Sequence, residues 1–217
     1  MRVYHFVNAK YGLEDLQFRR LKIARVNELN DPFEFMARAK NSLERAALRA
    51  TKEQQSEKTG LLCFSESWEN SVQWSHYADR HRGICLGFDV ADEQFKKVTY
   101  RKSPLRFDLH RFRSDAVYAQ DFSERLVSTK FDDWRYEKEW RLYIKLDPAT
   151  EVDGRYFYDF SDGLYLAEVI VGGASSITRS QLSAALGKRD EKVRYRKARM
   201  AFNSFRVVEQ LKSSLWV

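Results

Sequence analysis

Three prolines and nine glycines are few for a chain of 217 residues. So small a supply of chain breakers argues against disorder and against a linker between two large domains. No apolar run approaches the roughly 18 residues that a membrane-spanning helix needs. The opening Met1-Arg2-Val3-Tyr4-His5-Phe6 lacks the apolar stretch of a secretory signal. The two cysteines, Cys63 and Cys85, lie in apolar strand-like runs without paired spacing. They read as buried thiols, not as a disulfide or a metal site. The expectation is a soluble cytoplasmic protein, free of membrane, forming a single domain over residues 1–217. Its core spans about 1–175 and a basic C-terminal portion about 176–217.

Two absences concern chemistry. Neither G-x-G-x-x-G nor G-x-x-x-x-G-K-[ST] occurs, which excludes nucleotide binding by those loops. Histidines number four, and His76 and His81 stand five apart, so a regular helix would splay them by about 140°. With no i, i+4 pair and no cysteine spacing to match, no metal is expected. No G-x-S-x-G nucleophile turn is present either.

What is there is patterned. Residues 2–7, 21–26, 61–65, 84–89, 156–160 and 166–171 have strand length and either alternation or a continuous apolar run. Helices are expected over residues 9–19 after Asn8, from Pro32 through Ala47 after Asp31, and over 71–80 before Gly83. Two more are expected over 122–129 and over 176–186 before Gly187. Residues 52–59 read as a loop or a frayed helix end, 101–115 as a loop, and 193–196 and 205–208 as edge strands. The order is that of an α+β fold with a strand-rich, mixed-sheet core flanked by helices. Gly172-Gly173, ahead of a helix, could hold an anion on backbone amides or be a plain loop.

The net charge is +7, and residues 188–199 alone carry seven basic residues against Asp190 and Glu191. Such a segment could attract a nucleic acid or another polyanion, and a solvated basic face is the more common explanation of a charge run.

The most informative stretch is Trp134-Arg135-Tyr136-Glu137-Lys138-Glu139-Trp140-Arg141-Leu142-Tyr143-Ile144. Read with period two, Tyr136, Lys138, Trp140, Leu142 and Ile144 share one mostly apolar face, predicting a half-buried strand from Arg135. The other face sets Glu137 and Glu139 between Arg135 and Arg141, whose charges would keep both carboxylates ionised. Two fixed carboxylates can steady a developing positive charge or orient a hydroxyl. They are also what a solvated strand face with ordinary ion pairs looks like.

Five motifs in order resemble a widespread bacterial and phage domain family of unknown function. They are Asn30-Asp31-Pro32-Phe33-Glu34, Cys63-Phe64-Ser65-Glu66, Trp74-Ser75-His76-Tyr77-Ala78, His81-Arg82-Gly83-Ile84-Cys85-Leu86-Gly87-Phe88 and Trp134 to Arg141. The chain also resembles, more remotely, the ADP-ribosyltransferase superfamily, through His5 on a first strand, Ser65 on a second and Glu137-Lys138-Glu139 on a later one. Phe64-Ser65-Glu66 stands where that superfamily has S-T-S.

This second resemblance implies an ADP-ribosyltransferase-like fold and glycosyl transfer from NAD, in a toxin or phage-conflict effector. Glu139 would stabilise the oxocarbenium-like ribose and Glu137 would orient or deprotonate a protein or nucleic-acid acceptor. His5 and Ser65 would bind the two riboses, and Tyr77 or Trp74 would stack on nicotinamide. His76 joins the catalytic candidates on its motif alone. Two other functions stay open: a nucleic-acid-binding or -processing protein using the basic segment, and a non-catalytic interaction module.

Overall fold

The computed structural model describes residues 1–161, 163–187 and 192–216. The first half of the chain runs β1 (Arg2–Val7), α1 (Ala9–Phe18), β2 (Arg20–Arg25), β3 (Ala37–Arg38), α2 (Ser42–Lys58), β4 (Thr59–Ser65), α3 (Ser71–Tyr77), β5 (Ile84–Val90), β6 (Phe95–Lys97) and β7 (Thr99–Arg101). The second half runs β8 (Leu105–Arg106), α4 (Leu109–Ser114), α5 (Ala116–Val127), β9 (Thr129–Phe131), β10 (Glu139–Lys145), β11 (Tyr156–Asp159), β12 (Leu164–Val171), α6 (Arg179–Leu186), β13 (Arg194–Met200) and β14 (Val207–Glu209). The fold is α+β, with both antiparallel and parallel strand pairs. Contacts divide the chain into two units, 1–22 with 63–94 and 157–217, and 23–62 with 95–156.

In the first unit β5 lies between β1 and β12, antiparallel to both, along nearly its whole length. Its Ile-Cys-Leu-Gly-Phe run is buried residue by residue, as expected of a strand covered on both faces. β12 continues into β13 as a parallel pair, which needs a crossover, and α6 supplies it. β14 closes the edge as a hairpin partner of β13. Trp68, Trp74, Ala78, Cys85, Ile170, Ala198 and Val207 form one core cluster there. A buried carboxylate, Glu168, binds Arg2 at 2.7 Å and Arg196 at 2.7 Å, and accepts from the Tyr4 hydroxyl at 3.1 Å.

In the second unit β2 pairs with β4, and β10 pairs with β4 and β6. Two short parallel pairs, β3–β8 and β7–β9, accompany them. Leu105, Phe107, Leu109, Phe122 and Leu126 build its aromatic core, with α4 and α5 packed together around it.

Several boundaries differ from those the sequence suggests, for local reasons. No helix starts at Pro32. Asp31 Oδ1 accepts from Phe33 N and Asp31 O from Glu34 N, a closed turn, and Phe35 at φ +57° breaks any helical continuation. The helix begins at Ser42, capped by Asn41, and runs to Lys58, so of the two readings of 52–59 it is the helix end that holds. Residues 101–115 hold β8 and α4, the latter capped by Asp108. The helix expected at 122–129 spans Ala116–Val127, capped by Asp115. The last helix starts at Arg179, where Thr178 and Gln181 form a capping box. The strand expected at 193–196 is longer, Arg194–Met200, and interior rather than at the edge.

Candidate functional site

The largest departure from expectation is at the acidic motif. Residues Asp132–Glu137 form a 3-10 helix, not a strand, and Lys138 follows in the left-handed region at φ +47°. β10 begins only at Glu139. In a regular strand two side chains at i and i+2 stand about 7 Å apart. The turn through Lys138 instead brings both carboxylates onto one ammonium. Lys130 Nζ lies 2.5 Å from Glu137 Oε2, 3.0 Å from Glu139 Oε2 and 3.2 Å from Glu34 Oε1.

Arg141 completes the group. Its Nε is 2.7 Å from Glu139 Oε1, and its Nη2 is 3.0 Å from Glu139 Oε2 and 2.7 Å from Glu34 Oε1. Its Nη1 donates to the carbonyl of Val127 at 2.9 Å, one of the last carbonyls of α5. The charged face of the motif is therefore an inner one: Glu137, Glu139 and Arg141 are buried, whereas Trp140 and Ile144 are half-exposed. Arg135, expected to flank the acids, is on the surface and pairs with Asp132.

Three carboxylates and two cations meet in this group, and Lys52 acts on Glu34 and Asp31 beside it. Burial works to lower the pKa of Lys130, but the combined attraction of Glu139, Glu34 and Glu137 prevails and raises it. Lys130 is thus a fixed cation and not a base. Tyr100 accepts from the Glu139 amide at 2.8 Å; burial, with Glu139 and Glu137 nearby, raises its pKa. Lys52 Nζ donates to the Glu34 carbonyl at 2.6 Å. Glu34 Oε2 and Asp31 Oδ2 are buried without a hydrogen-bond partner.

Glu34, Lys130 and Tyr100 escaped sequence reading. The helix-start reading of Asn30 to Glu34 hid an inward carboxylate. Lys130 sits on a three-residue strand too short for a periodic signal.

β9 separates two environments. Lys130 is buried with the acids, and its neighbours Thr129 and Phe131 point the other way by strand alternation. On that side lies a cavity of about 220 Å³. Phe33 and Met36 line it from the 31–36 turn; Arg101, Lys102, Ser103 and Pro104 from the loop after β7; and Thr129, Lys130 and Phe131 from β9.

Residues 73–142 match the family model described as Protein of unknown function (DUF2971). The matched segment is less than half of the chain. It contains Lys130, Glu137, Glu139 and Arg141, and stops one residue beyond the arginine. No curated protein matches the chain, and no solved structure does.

The other expected site residues belong to the first unit. Tyr4 is directly opposite Ser65 across β1 and β4, so Ser65 shares a face with Tyr4 and His5 takes the opposite face. The imidazole and the hydroxyl are not brought together. His5 Nδ1 is 3.0 Å from the Cys63 carbonyl oxygen, which requires the proton on Nδ1, and burial lowers its pKa. Ser65 Oγ is engaged with the backbone of Ser67, as acceptor from N and donor to O. Trp74 is fully buried, donates its indole N–H to the Trp68 carbonyl, and packs on Phe6 and His81. His76 is exposed on α3, its ring 6.0 Å from that of Tyr77.

Gly172-Gly173 precedes no helix directly. The Gly172 amide donates to Gly83 O, and Ala174 N to His81 O. Of the basic segment, Lys188, Arg189, Asp190 and Glu191 lie outside the described residues. Arg194 and Arg196 pair with Glu209, and Arg196 also with Glu168. Lys197 is held on Ser175 O, its pKa lowered by burial. Among the described residues no three His, Cys, Asp or Glu side chains are grouped as metal ligands, and no helix is long and apolar enough to cross a membrane.

Proposed function

We propose that the chain is an NAD-consuming transferase of the ADP-ribosyltransferase type, with its acidic machinery in the second unit. The observation that carries this reading is the convergence of the Glu34, Glu137 and Glu139 carboxylates in one buried group around Lys130 and Arg141. Cleavage of the nicotinamide–ribose bond builds positive charge on the sugar, and a preorganised anionic site in low dielectric is worth most at that moment. Glu139 takes the role of binding a ribose hydroxyl and Glu137 that of acting on the acceptor. Both oxygens of Glu139 are engaged by Arg141 and Lys130 in this arrangement. The reading therefore requires one of those contacts to be exchanged for the ribose when NAD binds.

That same saturation favours a second reading. A carboxylate clamped by a bidentate arginine and a lysine is also a structural device that holds β9, β10 and the 31–36 turn together in a non-catalytic binding module. Incubation with NAD separates the two. The transferase reading expects nicotinamide release that Glu139→Gln abolishes while the variant stays folded by circular dichroism. No release from the wild type, or release unchanged by Glu139→Gln, leaves the module.

A further inference from the structure

The cavity on the outer side of β9 has a composition that neither the acid group nor its ion pairs explain. Phe33, Met36 and Phe131 edge it with 68%, 50% and 43% of their surface exposed. Large apolar side chains gathered at one concave spot mark a binding site far more often than do scattered ones. Among the described residues, neither phenyl ring is stacked on another ring or covered by a cation. Arg101 and Lys102 stand beside them, exposed and, among the described residues, without an ion-pair partner. In the β7–β9 register Arg101 is directly opposite Phe131. A guanidinium and a ring are thus presented side by side on one wall. Ser103 and Thr129 add hydroxyl-bearing residues to the lining.

We infer that this cavity binds one nucleoside phosphate unit, the planar base against the phenyl rings and the phosphate on Arg101 and Lys102. Aromatic rings accept any base through its π face, and arginine recognises phosphate by charge and a two-pronged fork. The volume of about 220 Å³ is below the roughly 300–1,000 Å³ of pockets that enclose a whole drug-sized ligand. It suits a single ring with the rest of the molecule outside. A free nucleotide and the end of a nucleic-acid strand offer the same chemistry. The small cavity and the ion-paired state of Arg194 and Arg196 favour the free nucleotide. The inference rests on the proposed function only for the statement that the bound nucleotide is the one consumed.

Calorimetry on the full chain tests it, with AMP, adenosine and inorganic phosphate as probes. AMP is expected to bind, and adenosine and phosphate each at least tenfold more weakly. The double variant Arg101→Ala/Lys102→Ala should weaken AMP tenfold or more, and Phe131→Ala should weaken adenosine. All three side chains are exposed, so both variants should unfold at the wild-type urea midpoint. Absence of AMP binding at millimolar concentration, or AMP binding unchanged in both variants, overturns the site. So does binding of a short single-stranded oligonucleotide that AMP does not displace. AMP binding without nicotinamide release from NAD would keep this site and remove the transferase. Nicotinamide release unaffected by a double variant that no longer binds AMP would keep the site and the transferase and remove the statement that the nucleotide bound here is the one consumed.

Discussion

Arg141 grips both oxygens of Glu139, with Nε 2.7 Å from Oε1 and Nη2 3.0 Å from Oε2. The same Nη2 reaches Glu34 across the turn, and Nη1 holds the Val127 carbonyl. Four acceptors are served by one planar fork whose geometry lysine cannot copy. Arg141→Lys is expected to lower stability by about 3 kcal/mol, within the range for breaking a buried ion pair. Urea unfolding followed by tryptophan fluorescence measures it. A loss below about 1 kcal/mol would show that the fork is dispensable and that a single charge suffices.

Lys130 is the partner of all three carboxylates, so its removal should be worse than removal of any one of them. Lys130→Met removes the ammonium that Glu137 meets at 2.5 Å and is expected to cost about 3–5 kcal/mol. Adding Glu137→Gln to that variant should recover part of the loss, since one of the buried carboxylates that Lys130 had faced is then neutral. A double-mutant cycle reads the coupling, and strict additivity would refute the shared site. The pH dependence has a definite sign. The folded pKa of Lys130 is raised, so its contribution is fully present below the unfolded value near 10.4 and is lost as pH rises beyond it. Wild type should lose more stability above about pH 10 than Lys130→Met does.

Much of the frame was legible because it rests on local pattern. The Ile84–Val90 run, the Arg2–Val7 strand and the Asn8 cap each carry their own signal. The acid group was legible only in its letters. Alternation from Trp134 to Ile144 fits a strand with its charges outside, and nothing local says that Lys138 turns through the left-handed region. The burial of Glu139 and Arg141 depends on Glu34 and Lys130, and Glu34 is more than a hundred residues away in the chain. No periodicity encodes such a partnership. The basic segment is conspicuous in sequence, but its letters do not show that Glu168 and Glu209 pair with two of its arginines.

Gly83 is held by a backbone approach in place of any special dihedral. A Cβ there would lie 2.1 Å from the Val7 carbonyl oxygen and 3.0 Å from the Cα atoms of Ala78 and Asn8. All three are backbone atoms and cannot swing away. Gly83→Ala is expected to destabilise by about 3 kcal/mol or more, because β1 and the segment leading into β5 must separate. Gly163→Ala is the control, since its nearest contact would be an ordinary 3.8 Å. Thermal unfolding of both variants decides it; equal midpoints would mean that the segment yields freely.

Asp15 is buried on α1, facing away from solvent beside Leu16. Burial pushes its pKa up to about 7, with Glu14 adding to the rise and Arg20 opposing it. An acid with a raised folded pKa stabilises the fold fully below its unfolded value near 3.9. That contribution is lost as pH climbs through 7, where a bare carboxylate must be accommodated. Asp15→Asn should therefore gain stability at pH 8, by about 2 kcal/mol once residual solvent screening is allowed for. Near pH 4 the variant and the wild type should differ little. Urea midpoints at several values between pH 4 and 8 give the slope directly. A wild type that grows more stable across that interval relative to Asp15→Asn would mean that Arg20, and not burial, governs this carboxylate.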